Sequence, residues 1–147
     1  MDKIYCTPSD INAMIIDLIR QIQTGMRFSR DTVKFTKVVG IRNGGIHISQ
    51  PIARALVLPH EEVHISYRDG QDRREKPIIK NINFTNVGRV LLVDDLIDSS
   101  VTRETFKTHF GPFEGMAVLF WNEKTQPPPD YYARTKPDAW IVFPWEV

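Results

Sequence analysis

An apolar run that stops on two acids restricts this chain more than any other feature. Val90-Leu91-Leu92-Val93 runs straight into Asp94-Asp95, then Leu96-Ile97, a third acid at Asp98, and the hydroxyls of Ser99, Ser100 and Thr102 around Val101. Four consecutive apolar residues with valine at both ends read as a strand buried on both faces, as occurs in parallel sheets covered by helices on each side. Carboxylates at the end of such a strand fall where open α/β sheets collect ligands, in the loops that lead into helix N-termini. A loop of this composition can wrap backbone N–H groups and hydroxyls around one phosphate dianion, and the dipole of the following helix favours the negative charge. Acids beside a phosphate repel it unless they face sugar hydroxyls, a bound Mg²⁺ or a proton to be removed. The pattern therefore points to a sugar phosphate.

The rest of the chain repeats the strand, loop, helix rhythm. Thr7-Pro8-Ser9-Asp10 offers capping groups and a first-turn proline. Ile11, Met14, Ile15, Leu18, Ile19 and Ile22 then follow at helical spacing, which predicts a helix to near Gly25. Lys37 to Ile41 reads as a short buried strand, Arg42-Asn43-Gly44-Gly45 as a turn, and the next residues as a helix to about Leu58. A strand is expected from Glu61 to Tyr67, and the charged stretch Arg68 to Lys80, with Gly70 and Pro77, is expected to be a mobile loop. After the strand ending at Val93, a helix is expected through Thr108, then a buried strand from Gly115 to Trp121 and an aromatic-rich close from Asp138 to Trp145. These alternations predict one α/β domain over 1–147, with a mostly parallel, twisted sheet flanked by helices.

Charge and cysteine content narrow the function classes. Nineteen basic residues balance 18 acidic ones, so the broad positive field needed to neutralise a nucleic-acid backbone is missing. Cys6 is the only cysteine, which excludes an intramolecular disulfide and a thiolate zinc site and fits a reducing compartment. His47, His60, His64 and His109 show no paired ligand spacing. No run of 18 apolar residues and no basic-then-apolar leader is present, so a cytoplasmic protein without membrane contact is expected.

Val90 to Thr102 resembles the phosphoribosyl-diphosphate (PRPP) motif of the type I phosphoribosyltransferases, in which an apolar strand, two acids, two apolar residues and a hydroxyl-rich turn follow in this order. The usual glycine is replaced by Ser100, which raises the expectation of a strained backbone or a different loop course. Ile41-Arg42-Asn43-Gly44-Gly45 resembles the loop that holds pyrophosphate, although a Gly-Gly pair also marks an ordinary strand-to-helix turn. Ser66-Tyr67 followed by Asp72, Arg73, Arg74 and Glu75 resembles the family's flexible lid. Trp140-Ile141 and the run to Glu146 look like the hood of xanthine and guanine phosphoribosyltransferases, where a Trp lies flat on the purine. Those enzymes carry a lysine after the fourth strand to bind the 6-oxo group, and that position is Asn122 here, with Lys124 two residues on.

The resemblance implies a type I fold with a small hood built from the two termini. It further implies transfer of ribose 5-phosphate from PRPP to guanine, xanthine or hypoxanthine, with Mg²⁺, in a homodimer or homotetramer. Asp94 and Asp95 would hold the ribose and Mg²⁺, and Asp98 would act as the base. Ser99, Ser100, Val101 and Thr102 would bind the 5′-phosphate, and Arg42 to Gly45 with Arg73 and Arg74 the pyrophosphate. Trp140, Ile141, Asn122 and Lys124 would read the base. A chain of the same fold that binds PRPP or a nucleotide without turnover, in a regulatory role, is the alternative that Ser100, Asn43 and Asn122 motivate.

Overall fold

A computed structural model describes residues 2–28, 34–69 and 72–146, with Arg68, Asp69, Asp72 and Arg73 described by backbone alone. In chain order the elements are β1 (Lys3–Tyr5), α1 (Pro8–Arg27), β2 (Lys37–Arg42), α2 (Ile46–Leu56), β3 (His60–Asp69), β4 (Asp72–Asn81), β5 (Val90–Ile97), α3 (Val101–Phe110), β6 (Gly115–Trp121), β7 (Tyr131–Thr135) and β8 (Trp140–Val142). A single 3₁₀ turn, Pro144–Glu146, follows β8.

Among the described residues, six strands form the main sheet in the order β4-β3-β2-β5-β6-β7, all parallel except β4. Side chains alternate across a strand, so β5 feeds two cores at once. Leu91 and Val93 pack with Leu18 and Ile22 of α1 and Ile48 and Ile52 of α2. Val90 and Leu92 pack on the other face with Val63, Met116 and Phe106 of α3. Each such side chain contributes about 1.5–3 kcal/mol when fully buried, so both helix layers are anchored on this central strand.

The chain leaves β2 toward β3 on one side, and returns to β5 before moving to β6 and β7 on the other. The strand order therefore reverses between β2 and β5, and a crevice opens beyond their adjacent carboxyl ends. A second, two-stranded sheet pairs β1 with β8, with Ile4 opposite Ile141, so both ends of the chain build one small hood beside that crevice.

Two sequence expectations are corrected. Within Arg68 to Lys80 the described residues are strand: β4 pairs antiparallel with β3 from Asn81 opposite Val63 out to Asp72 opposite Asp69, and Gly70 and Gln71 lie outside the described residues. A strand with Pro77 and a string of charges survives because β4 is an edge strand. There one side of the backbone faces solvent, and the register shifts between Ser66 and Arg68 near the proline. Ser100, expected to strain the phosphate loop, has φ −79° and ψ −1°, an ordinary right-handed conformation open to any residue.

Candidate active site

At the β2/β5 switch point lies a cavity of about 410 Å³. Its floor is Asp94, Asp95 and Leu96, which end β5, and one rim is Asp98, Ser99, Val101 and Thr102, which lead into α3. Arg42 and Asn43 from the end of β2 form a second rim, and Ser66 and Tyr67 of β3 a third. Ala139, Trp140 and Ile141 of the hood close the fourth side.

The floor is electrostatically unfavourable as it stands. Burial, and then the neighbouring Asp95 charge, push the Asp94 carboxyl well above the usual range; burial also raises Asp95. Asp94 Oδ1 accepts from the Asp95 N–H at 2.8 Å, and Asp95 Oδ1 accepts from the Leu96 N–H at 2.8 Å. Burial raises Glu146 too, with the charge of Asp95 adding to the effect. Three acids share this side of the cavity, which suits a ligand that brings hydroxyls or cations with it.

The turn after β2 is shaped around the same acids. A Cβ on Gly44 would stand 2.1 Å from Asp95 Oδ2, and one on Gly45 would stand 2.5 Å from the Ile41 carbonyl oxygen. Only glycine lets this turn lie so close to the carboxylate and the strand. Neither α2, which starts after Gly45, nor α3, which starts after Ser100, has a side-chain cap at its N-terminus. Both helix starts place a positive dipole end at the crevice, although Ser99 Oγ accepts from the Val101 N–H at 3.4 Å and the Gly45 N–H donates to the Ile41 carbonyl at 2.9 Å.

Of the residues singled out from sequence, Asp94, Asp95, Asp98, Ser99, Val101, Thr102, Arg42, Asn43, Trp140 and Ile141 line one cavity. Ser100, Gly44 and Gly45 are not among the lining residues. Arg42 Nε donates to Glu62 Oε1 at 2.8 Å, so part of its guanidinium is already engaged. Arg74 lies out on β4, its Nε donating to the Lys76 carbonyl, and the Arg73 side chain lies outside the described residues. Asn122 and Lys124 are not in the cavity wall: Asn122 Nδ2 donates to Asp98 Oδ1 at 3.0 Å, and Asn122 Oδ1 accepts from the Lys124 N–H at 3.1 Å.

One wall residue had no sequence signal, and one was legible only as the end of the hood. Lys136 arrives from the β7–β8 connection and stands 3.7 Å from Asp98 Oδ1, and Glu146 arrives from the final 3₁₀ turn. Behind the hood, Trp145 is sandwiched between His47 at 4.6 Å and Phe143 at 4.7 Å, both nearly parallel to it, which fixes the turn that carries Glu146.

The phosphoribosyl transferase domain family matches residues 9–147, a span that contains every rim of this cavity. The chain belongs to the phosphoribosyl transferase domain family. As a phosphoribosyltransferase domain it is similar to the xanthine-guanine phosphoribosyltransferase of Cereibacter sphaeroides, 28% identical over 122 residues that cover 80% of this chain and 72% of the relative. The xanthine-guanine phosphoribosyltransferase of Ruegeria sp. is 30% identical over 120 residues, 75% of this chain and 68% of the relative. The crystal structure of the purine phosphoribosyltransferase of Pyrococcus horikoshii superposes with a TM-score of 0.76 at 25% identity, covering 100% of this chain and 96% of the other.

Proposed function

We propose that this chain, acting as one domain over 1–147, transfers ribose 5-phosphate from PRPP to a purine base, with guanine, xanthine or hypoxanthine as acceptor, in purine salvage. The observation that carries this reading is the convergence on one cavity of a paired-acid floor, an uncapped helix start preceded by hydroxyls, and an indole wall. The named activity of the relatives supports it.

In this reading the 5′-phosphate seats on the backbone N–H groups and hydroxyls of Ser99 to Thr102 at the start of α3. Pyrophosphate lies along Arg42 to Gly45 at the start of α2. The carboxylates of Asp94 and Asp95 accept from the ribose hydroxyls and stabilise positive charge as it develops at C1. The C1–O bond to pyrophosphate breaks, a bond from C1 to a base nitrogen forms, and Asp98 takes the proton that this nitrogen loses. Trp140 holds the base flat, and the hairpin of β3 and β4 closes over the sugar to exclude water, with Ser66 and Tyr67 at its base.

Asp94 and Asp95 suit Mg²⁺, which prefers one or two carboxylates and keeps its other positions for water and phosphate oxygens. Among the described residues no three His, Cys, Asp or Glu side chains form a metal-binding group by themselves. When bound, Mg²⁺ would neutralise pyrophosphate charge. No described helix is long and apolar enough to cross a membrane. The lone Cys6 suits a reducing, cytoplasmic setting, and the family resemblance suggests a homodimer or homotetramer as the working assembly.

The test is pyrophosphate release from PRPP and Mg²⁺ with guanine, xanthine, hypoxanthine, adenine and pyrimidine bases in turn. Release with the three oxopurines is expected. Binding of PRPP or nucleotide with turnover on none of the bases would replace catalysis by the regulatory alternative.

A further inference from the structure

The turn that follows β6 is built onto Asp98. Strands β5 and β6 end together, with Ile97 opposite Trp121 in parallel register, so Asp98 and Asn122 leave the sheet side by side. The Asn122 N–H donates to the Ile97 carbonyl at 2.8 Å, and Asn122 Nδ2 donates to Asp98 Oδ1 at 3.0 Å. Thr125 Oγ1 donates to the Asp98 carbonyl at 2.8 Å. One short turn therefore holds both the backbone and the carboxylate of this acid.

The turn is fixed by bonds of its own. Asn122 Oδ1 accepts from the Lys124 N–H at 3.1 Å, the Asn122 carbonyl accepts from the Thr125 N–H at 2.8 Å, and Trp121 Nε1 donates to the Thr125 carbonyl at 2.9 Å. With its oxygen engaged on one side, the Asn122 amide presents its NH₂ on the other, which is where Asp98 stands. The Asp98 side chain is 52% exposed, and the terminal torsion of an aspartate is soft, so its carboxylate would otherwise rotate in solvent. Lys136 Nζ approaches the same Oδ1, at 3.7 Å, from the β7–β8 connection. Two donor groups on one oxygen leave Oδ2 as the lobe that can take a proton from a ligand. Neither Asn122 nor Thr125 lines the cavity.

We propose that Asn122 and Thr125 are positioning residues for the transfer reaction, holding the Asp98 carboxylate so that Oδ2 meets the base nitrogen as that nitrogen loses its proton. This rests on the reading above in which Asp98 is the base. Their effect passes through Asp98 alone: a catalytic group displaced by ~1 Å can lose up to ~10²-fold in rate, while ligand binding on the other cavity walls stays in place.

Steady-state pyrophosphate release with an oxopurine that the wild type uses tests this in two backgrounds. Asn122→Leu keeps the size of the side chain and removes its donor, so kcat should fall about 10-fold or more with KM for PRPP unchanged. Thr125→Val, which removes only the hydroxyl, should give a smaller loss in kcat alone. In an Asp98→Asn background neither substitution should lower kcat further, because the group they position is no longer a base. Ribose 5-phosphate binding equal to wild type reports that each variant is folded, and Asn122→Asp, which loses the donor at constant size, gives the same reading if the leucine variant does not fold. Unchanged kcat in both single variants, a loss confined to KM for PRPP, or losses of equal size in the two backgrounds would each overturn this role and leave the transfer reading standing. Absence of pyrophosphate release by the wild type with every base would overturn the transfer reading and this role together.

Discussion

The start of α1 and the starts of α2 and α3 are built in opposite ways. At α1 the chain satisfies itself: the Asp10 N–H donates to Thr7 Oγ1 at 3.0 Å, and the Thr7 N–H donates to Asp10 Oδ2 at 2.9 Å. At α2 and α3 the N-cap residues Gly45 and Ser100 make no side-chain cap bond, only a long 3.4 Å contact links Ser99 Oγ to the Val101 N–H, and both helices begin at the crevice between β2 and β5. An N-terminus that spends N–H groups on its own caps has fewer left for a phosphate. In the proposed reading the difference separates a helix start that serves stability from two that serve binding, and variants can test the separation.

The largest effect belongs to Asp98, at the mouth of α3. Asp98→Asn should lower kcat by about 10²–10⁴, the range for a lost general base, with little change in PRPP affinity. Equal losses in both would place Asp98 in binding instead. Next comes Ser100→Asp, which places a carboxylate at the positive end of the α3 dipole. Thermal unfolding should show a gain of about 0.5–1 kcal/mol, while PRPP affinity falls at least ~10-fold because the new carboxylate occupies the phosphate's place. A stabilised variant with full PRPP affinity would break the contrast between the two kinds of helix start.

Asp94→Asn sharpens it through pH. Burial raises both floor acids, with the Asp95 charge also raising Asp94, so the folded chain keeps protons that the unfolded chain has released. Their contribution to stability is greatest below the ordinary carboxylate range and is lost as pH rises through the raised folded values. The variant should therefore be more stable than wild type at pH 7.5, by about 1 kcal/mol, with the gain shrinking toward pH 4 and turnover reduced at every pH. The smallest effect is Thr7→Ala, which should cost about 1 kcal/mol or less of stability and leave kcat and PRPP affinity unchanged.

What could be read from the sequence follows the same division. The β5 strand, its acids and the hydroxyls before α3 are contiguous in the chain, so Val90 to Thr102 is legible as one unit. Trp140 is legible through its neighbours in the aromatic run. Lys136 is not, because it reaches the cavity only through the parallel pairing of β7 with β6, a long-range contact that leaves no local pattern. The β3–β4 hairpin is hidden for another reason: Pro77 and the charges of an exposed edge strand look like a loop until the pairing is known. The three residues of β1 are too short to show periodicity and owe their strand to β8.

The assignment of the two uncapped helix starts to the two phosphate groups of PRPP is tested most directly by amide chemical shifts of the ¹⁵N-labelled protein. Ribose 5-phosphate should move the amides of Ser99 to Thr102, and pyrophosphate with Mg²⁺ should then move those of Gly44 and Gly45, while Thr7 to Asp10 stay in place. Shifts spread evenly over all three helix starts, or absent from the start of α3, would contradict the account.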